Sequence, residues 1–523
     1  MYDMPAKYFC IKLFCLFILF VSSVPVFVWA GTTQILNVKK FGAKGDGISD
    51  DTRFIQDAIN AAVPGTATTI FFPKGVYRIA SWQRTANYLE NYSLLIKSNL
   101  LFTGEGKASI IRIANHVYDA PDTMANAHVF YGVDIADTRF ENLSIDMNGA
   151  NNLVPKGVIK NHTAIFIYLG RNVSISQIWI KNCAGCNMID IKGDGHKLLI
   201  EKCTLLNGGN YVGTPIANEH QFDFSFIYSE WDSTTVQQNT IEQQNIEIAL
   251  ANYTGGIEMH GSNSVAQNNV ITGCFPGIYI TSSRGVLTHM EVAFNQFSQC
   301  LKGVSLWVMN PMQDINIHDN TIELTHSRRL VLPSSAGIEI PNGNASEYSA
   351  ANANNGAVSG LRITGNKINS VVGTDKPDKS SGIMLHSVQQ SSISGNTITG
   401  MNYGGIVLSG SKWGMKDVSI TGNIFEKFQS NPDKQAVAGY IVVTDTYSPG
   451  KKSAPGFKNV LLEKNQFIRI ANTNSLKAVA PAKPGGQFIG AFIALPQASL
   501  PEIRFEKNTF SSPGESVLKI KTD

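Results

Sequence analysis

The chain has 523 residues, with 43 Lys and Arg against 40 Asp and Glu, and only 16% of its residues are charged. A formal net charge of +3 gives neither the basic footprint of a nucleic-acid binder nor a polybasic membrane patch. Forty-six glycines and recurrent asparagines favour short strands and tight turns over long helices.

At the N-terminus, Lys7 and Lys12 precede an apolar run over residues 13–29, and Val28-Trp29-Ala30 offers a small-residue cleavage site. This pattern predicts a secretory signal over residues 1–30, with export to the periplasm or the extracellular space and no membrane contact after cleavage. The mature chain, 31–523, is longer than one ordinary globular core, so it is read as a single domain that grows by repetition. Residues 31–80 form its cap and first strands. Ser49 or Asp50 is expected to cap a helix whose apolar positions Phe54, Ile55, Ala58, Ile59 and Ala62 follow helical spacing. Pro64-Gly65 ends that helix, and Thr69 to Tyr77 reads as strand.

From about residue 160 two short patterns recur. The first is a glycine followed by alternating apolar residues, as in Gly256-Ile257-Glu258-Met259-His260, Gly277-Ile278-Tyr279-Ile280 and Gly303-Val304-Ser305-Leu306-Trp307. It returns at Gly337, Gly382 and Gly405. The second is Asn-x-apolar, beginning at Asn239, Asn269, Asn295, Asn320, Asn366, Asn396, Asn423, Asn465 and Asn508. Intervals of 21, 26, 34, 45 and 23 residues between the glycines describe one coil carrying loops of different length. That is an all-β parallel β-helix of about ten coils, with the asparagines stacked as an internal ladder at αL-prone turns and a short helix capping the open apolar end.

Five cysteines remain after residue 30: Cys183, Cys186, Cys203, Cys274 and Cys300. Cys183-x-x-Cys186 has no second pair, so no metal site is expected. Cys274 and Cys300 each lie four residues before the inward residue of consecutive coils. That leaves two alternatives, a disulfide and a reduced stack filling an apolar turn. The inserts 207–221 and 342–356 border one face and are candidate groove walls, and 478–486 reads as a loop.

Phe41-Gly42-Ala43-Lys44-Gly45-Asp46-Gly47, Ser49-Asp50-Asp51-Thr52 and Phe72-Pro73-Lys74-Gly75-Val76-Tyr77 together resemble the N-terminal segment of the pectate-lyase-like superfamily. The Asn-containing coils resemble its repeats, and the likeness covers nearly all of the mature chain. It implies a right-handed parallel β-helix with a carbohydrate site on one outer face, in a group that spans polygalacturonases, other glycosidases, lyases, epimerases and phage tail spikes. The polygalacturonase motif set survives only in scraps, at Met188-Ile189-Asp190-Ile191-Lys192, Phe222-Asp223-Phe224 and Met259-His260-Gly261, and Arg-Ile-Lys is missing. The Asp-Pro-His-Asp signature of alginate epimerases and lyases is also absent.

Strand alternation places one outward column at Phe166, Asp190, Asp223, Glu258, Tyr279, Ser305 and Glu339, and a second at Tyr168, Lys192, Ser225, His260, Thr281 and Trp307. Asp190, Asp223 and Glu258 would then stack about 4.8 Å apart on three coils, with mutual repulsion raising at least one pKa. A protonated acid beside a carboxylate is what glycosidic cleavage needs, so a secreted glycoside hydrolase is the first expectation, with His260 as a fourth catalytic candidate. Tyr279, Trp307 and Trp231 are candidate stacking surfaces, and Lys192 and Arg284 candidate substrate contacts. Glu339, further along the column, is expected to tolerate Gln.

A polysaccharide lyase on a uronate polymer is the second expectation, kept alive by Lys192, His260, Tyr279 and Arg284. No cofactor is needed unless the lyase route recruits calcium. A non-catalytic polysaccharide-binding or surface protein is the third. The expected partner is a polysaccharide, and nothing in the sequence sets an oligomeric state.

Overall fold

The computed structural model describes residues 34–85, 90–117, 126–152, 161–183, 185, 187–209, 225–246, 254–325, 334–341, 358–371, 379–409, 414–427, 439–444, 456–468, 491–496, 502–510 and 518–521. Asp223, Cys186 and most of the inserts 207–221 and 342–356 lie outside the described residues, as do 1–33 and 478–486.

Glycine-led alternation builds coils of three short strands. One coil comprises Gly255–Met259, Ser264–Gln267 and Val270–Thr272, and the next Pro276–Thr281, Leu287–Ala293 and Gln296–Cys300. Each strand pairs in parallel with its counterpart one coil away, so the chain winds into a parallel β-helix. Along the first face, thirteen successive parallel pairings join fourteen strands, from Glu90–Leu95 to Leu518–Lys521. The expected ten coils fall short because the earliest and latest coils lack the glycine signature.

The core is a set of stacked aliphatic columns. Ile189, Ile227, Ile257, Ile278, Val304, Ile338, Ile383, Ile406 and Ile441 are in register on successive coils and fully buried. Burying each is worth about 1.5–3 kcal/mol, and the chain repeats that gain at every turn of the coil.

All nine expected asparagines form one continuous ladder. From Asn239 to Asn465, each Nδ2 donates to the Oδ1 of the next asparagine at 2.9–3.0 Å, ending on Asn508. The left-handed backbone lies one residue earlier than expected, at Gln238, Asn268, Phe294, Asp319, Gly365, Gly395, Gly422, Lys464 and Lys507. The asparagine is therefore selected for its amide, and the residue before it makes the corner.

The cap helix spans Thr52–Asn60 and buries Ile55, Ala58 and Ile59. Its N-cap is Asp51, not Ser49 or Asp50, but Asp50 Oδ1 still accepts the Thr52 N–H at 3.1 Å. The buried Asp51 carboxylate accepts the N–H groups of Lys44 (2.6 Å) and Gly45 (3.0 Å), which ties the preceding glycine-rich loop to the helix start. Cys274 and Cys300 are buried free thiols, the reduced alternative. Cys300 Sγ donates to Ser298 O (3.5 Å), and burial pushes its thiol up to about 12.

Candidate active site on the first outer face

Register fixes the first outward column. Phe166 pairs with Asp190, Asp190 with Tyr228, Tyr228 with Glu258, Glu258 with Tyr279, Tyr279 with Ser305, and Ser305 with Glu339. The expected order holds at every coil but one, where Tyr228 takes the place assigned to Asp223. The strand there is Ser225–Ser229, so Ile227 and Ser229 point inward and Tyr228 outward. Two residues on, Glu230 lies between Lys192 and His260 in the second column, where Ser225 was expected.

The same spacing is present in the sequence. Eleven residues separate Glu258 from its ladder asparagine Asn269, and eleven separate Tyr228 from Asn239. The coil lacks its leading glycine, which removed the usual anchor. Tyr228 and Glu230 escape the alternation for that reason, and Ser283 because it lies on a turn.

These side chains form a paired network. Glu258 accepts hydrogen bonds from Ser225 Oγ (2.8 Å) and, at Oε1, meets His260 Nε2 (3.0 Å). The other ring nitrogen, Nδ1, lies 2.7 Å from Ser283 Oγ. With the carboxylate accepting at Nε2, that nitrogen carries the proton and the Nδ1 lone pair faces the serine. Glu258 and His260 are buried, whereas Ser283 is exposed.

The Tyr228 ring lies 4.6 Å from the His260 ring, and its hydroxyl donates to Glu230 Oε1 at 2.9 Å. Burial, then the charges of Glu258 and Glu230, hold the phenol pKa far above its ordinary value, so it stays protonated. Lys192 Nζ lies 5.2 Å from the centre of that ring and 3.4 Å from Asp190 Oδ2. Asp190 points away from the core but is fully buried, which makes the ion pair with Lys192 more than a surface contact.

Arg284 closes the site from the turn after Pro276–Thr281. Its guanidinium donates to Glu230 Oε2 (2.7 Å), Gly193 O (2.8 Å) and Asp194 Oδ1 (2.5 Å), and Glu230 also accepts the Gly193 N–H. Arg284 thus clasps coils separated by about ninety residues of sequence.

One coil further, Tyr279 and Trp307 stack at 6.1 Å, both half-buried. Trp231 is no sugar platform, because it is fully buried. Its indole lies against Gly195 and Gly170, where a Cβ would come within 2.3 Å and 2.9 Å of it, and its Nε1 donates to Lys192 O at 3.2 Å. It supports the site from below. Glu339 is not a dispensable surface acid either. It is buried, 2.6 Å from Lys302 Nζ, and accepts from Ser305 Oγ at 3.1 Å.

Among the described residues, no three His, Cys, Asp or Glu side chains gather to hold a metal. Asp190, Glu230 and Glu258 turn their oxygens to Lys192, Arg284, Tyr228, Ser225 and His260 instead, so this donor set does not fit calcium. Among the same residues no helix is long and apolar enough to cross a membrane.

A family model described as rhamnogalacturonase A/epimerase, pectate lyase-like matches residues 35–305, just over half of the chain. A right-handed β-helix region matches residues 255–472, which gives the coil its hand. Over 115 residues, 22% of this chain, the sequence is 34% identical to mannuronan C5-epimerase AlgE5 of Azotobacter vinelandii. Over 75 residues, 14% of this chain, it is 41% identical to alginate lyase 7 of the same organism. Those stretches are 11% and 8% of the relatives, so the chain spans about a tenth of each of these two proteins. The tailspike protein of E. coli bacteriophage HK620, solved in complex with a pentasaccharide, superposes with a TM-score of 0.59 at 14% identity, covering 84% of this chain and 77% of the tailspike chain. At that identity the likeness is one of fold.

Proposed function

Because the chain belongs to the rhamnogalacturonase A/epimerase, pectate lyase-like family, we propose that it is an exported enzyme acting on a uronate-containing polysaccharide, with proton abstraction beside the sugar carboxylate as the key step. The observation that carries this reading is the convergence of Tyr228 and His260, flanked by Lys192 and Arg284. His260, held at Nε2 by Glu258, carries its lone pair at Nδ1 beside Ser283 Oγ and is the base once a bound sugar displaces that contact. Tyr228, whose hydroxyl is held by Glu230 beside the His260 ring, is the proton donor to the departing glycosidic oxygen. Lys192 and Arg284 offer positive charge to the sugar carboxylate, in competition with Asp190 and with Glu230 and Asp194. Tyr279 and Trp307 extend the face by one sugar-sized step.

If the proton is returned from the other face of the ring, the same abstraction gives epimerisation. If the glycosidic bond breaks, it gives β-elimination. A panel of polysaccharides incubated in deuterated water tests the proposal. Deuterium entering the sugar, or an unsaturated product absorbing in the ultraviolet, is expected with a polyuronate and is lost in Tyr228→Phe.

Glycoside hydrolysis is the second reading, favoured by one feature. Asp190, Glu230 and Glu258 still place a carboxylate on each of three consecutive coils. New reducing ends with neither deuterium nor absorbance would establish it at the expense of the first.

A further inference from the structure

We infer that Ser283 is a nucleophile and that Glu258, His260 and Ser283 form a hydrolytic triad that removes O-acyl groups, such as acetyl esters, from sugar residues bound on this face. The geometry is that of a charge-oriented base beside a hydroxyl. Glu258 Oε1 to His260 Nε2 is 3.0 Å, and His260 Nδ1 to Ser283 Oγ is 2.7 Å. The acid and the imidazole are buried while the hydroxyl is exposed, which is the burial order an esterase requires. Glu258 is itself fixed by Ser225 Oγ at 2.8 Å, so the chain of orientation runs four residues deep.

The turn carrying Ser283 is pinned on both sides. Before it, Ser282 Oγ accepts the N–H groups of Met309 (3.0 Å) and Asn310 (2.9 Å) and donates to Asn310 O (2.6 Å). After it, Arg284 is anchored to Gly193, Asp194 and Glu230 on the opposite side. A hydroxyl held between two anchors meets its base with little ordering left to do.

The chemistry balances with water alone. Ser283 Oγ bonds the acyl carbon as its proton passes to His260 Nδ1. The adduct collapses by breaking the bond to the sugar oxygen, which takes that proton. Water, deprotonated by His260, then attacks the acyl-enzyme, and the carboxylic acid leaves as Ser283 regains its proton.

The inference shares the Glu258–His260 pair with the proposed function but asks nothing of Tyr228, so the two fail separately. The full chain is assayed for acetate release from an O-acetylated polyuronate, for labelling by a fluorophosphonate read as intact mass, and for deuterium uptake or ultraviolet-absorbing product on the deacetylated polymer. Wild type is expected to release acetate and gain one adduct. Ser283→Ala is expected to lose the adduct and about 100-fold or more in release, while circular dichroism stays unchanged. Tyr228→Phe is expected to lose deuterium uptake and any unsaturated product while still gaining the fluorophosphonate adduct at Ser283. Release that survives Ser283→Ala, or a wild-type protein that neither labels nor releases acetate, overturns the triad whatever the deuterium result.

Discussion

The same sheet face carries two kinds of outer column. From Asp190 through Tyr228 and Glu258 to Tyr279 it is built of carboxylates and phenols, whereas from Met384 through Val407 to Val442 it is aliphatic. The inward column behind both is the same stack of buried isoleucines. The repeat therefore needs its inner residues everywhere and leaves the outer ones free. Asp190 and Glu258 are buried all the same, and burying a carboxylate costs several kcal/mol unless it is well paired. A fold that works with Val407 and Val442 has no structural need of that expense, so the polar stretch points to chemistry.

The comparison breaks most sharply through paired substitutions. Tyr228→Phe keeps ring and shape and is expected to lower turnover by about 10²–10⁴-fold while stability moves little. Val407→Ala, on the aliphatic stretch, should do the reverse, costing about 1–3 kcal/mol in urea unfolding with turnover unchanged. Should Tyr228→Phe act on the polyuronate at nearly the wild-type rate, Tyr228 is not the proton donor.

Lys302 and Glu339 mark the border between the two stretches. Both are buried, 2.6 Å apart, with Ser305 completing the contact. Removing one partner, as in Lys302→Ala, strands a buried charge and should cost about 3–5 kcal/mol. Lys302→Met combined with Glu339→Leu should cost less than either single change, which a denaturant double-mutant cycle measures. An additive cycle would place this pair among ordinary surface charges.

The aliphatic stretch has a titratable member of its own. Burial lowers His386 from the usual 6.5 to about 4. Its folded pKa lies below its unfolded one, so between those values the unfolded chain binds more protons and stability falls as pH falls. The slope is about 1.4 kcal/mol per pH unit, and about 3 kcal/mol is lost in all between pH 6.5 and 4. Thermal unfolding across that window should show the loss in wild type and a smaller one in His386→Phe. Equal slopes would mean that other groups govern the acid limb.

The coils were legible because burial imposes period-two alternation and because the ladder asparagine is chemically specific. Both signals are local and repeat. Lys192, Glu258, His260, Tyr279 and Trp307 followed from the same alternation, since an outward position two residues from another needs no knowledge of the turns. Tyr228 and Glu230 did not follow, because Ser225 to Ser229 begins without a glycine and Phe222-Asp223-Phe224 offers an equally alternating decoy. Trp231 was misplaced for a different reason. Whether an indole lies over the face or beneath it depends on Gly170 and Gly195 on neighbouring coils, a relation that no single strand contains. Arg284 reached the site through a turn, and only the long-range clasp on Gly193, Asp194 and Glu230 shows how.

The smallest expected effect tests the part the two stretches share. Asn295 donates from Nδ2 to Asn320 Oδ1 (3.0 Å) and Ala266 O (2.9 Å), and its Oδ1 accepts the Asn269 N–H (3.0 Å) and Nδ2 (2.9 Å). Asn295→Ala leaves buried donors and a carbonyl without partners on both adjacent coils, a cost of about 1–3 kcal/mol. Asn508, where the described ladder ends, is only partly buried, and water can replace what its side chain gives. Asn508→Ala should therefore cost about 1 kcal/mol or less. Asn295→Asp sharpens the point, because it keeps the acceptor and loses both donors, and its carboxylate would face Asn320 Oδ1. It should be at least as damaging as Asn295→Ala. If the central and terminal substitutions unfold at the same urea concentration, each asparagine acts alone at its corner, and the ladder does not couple one coil to the next.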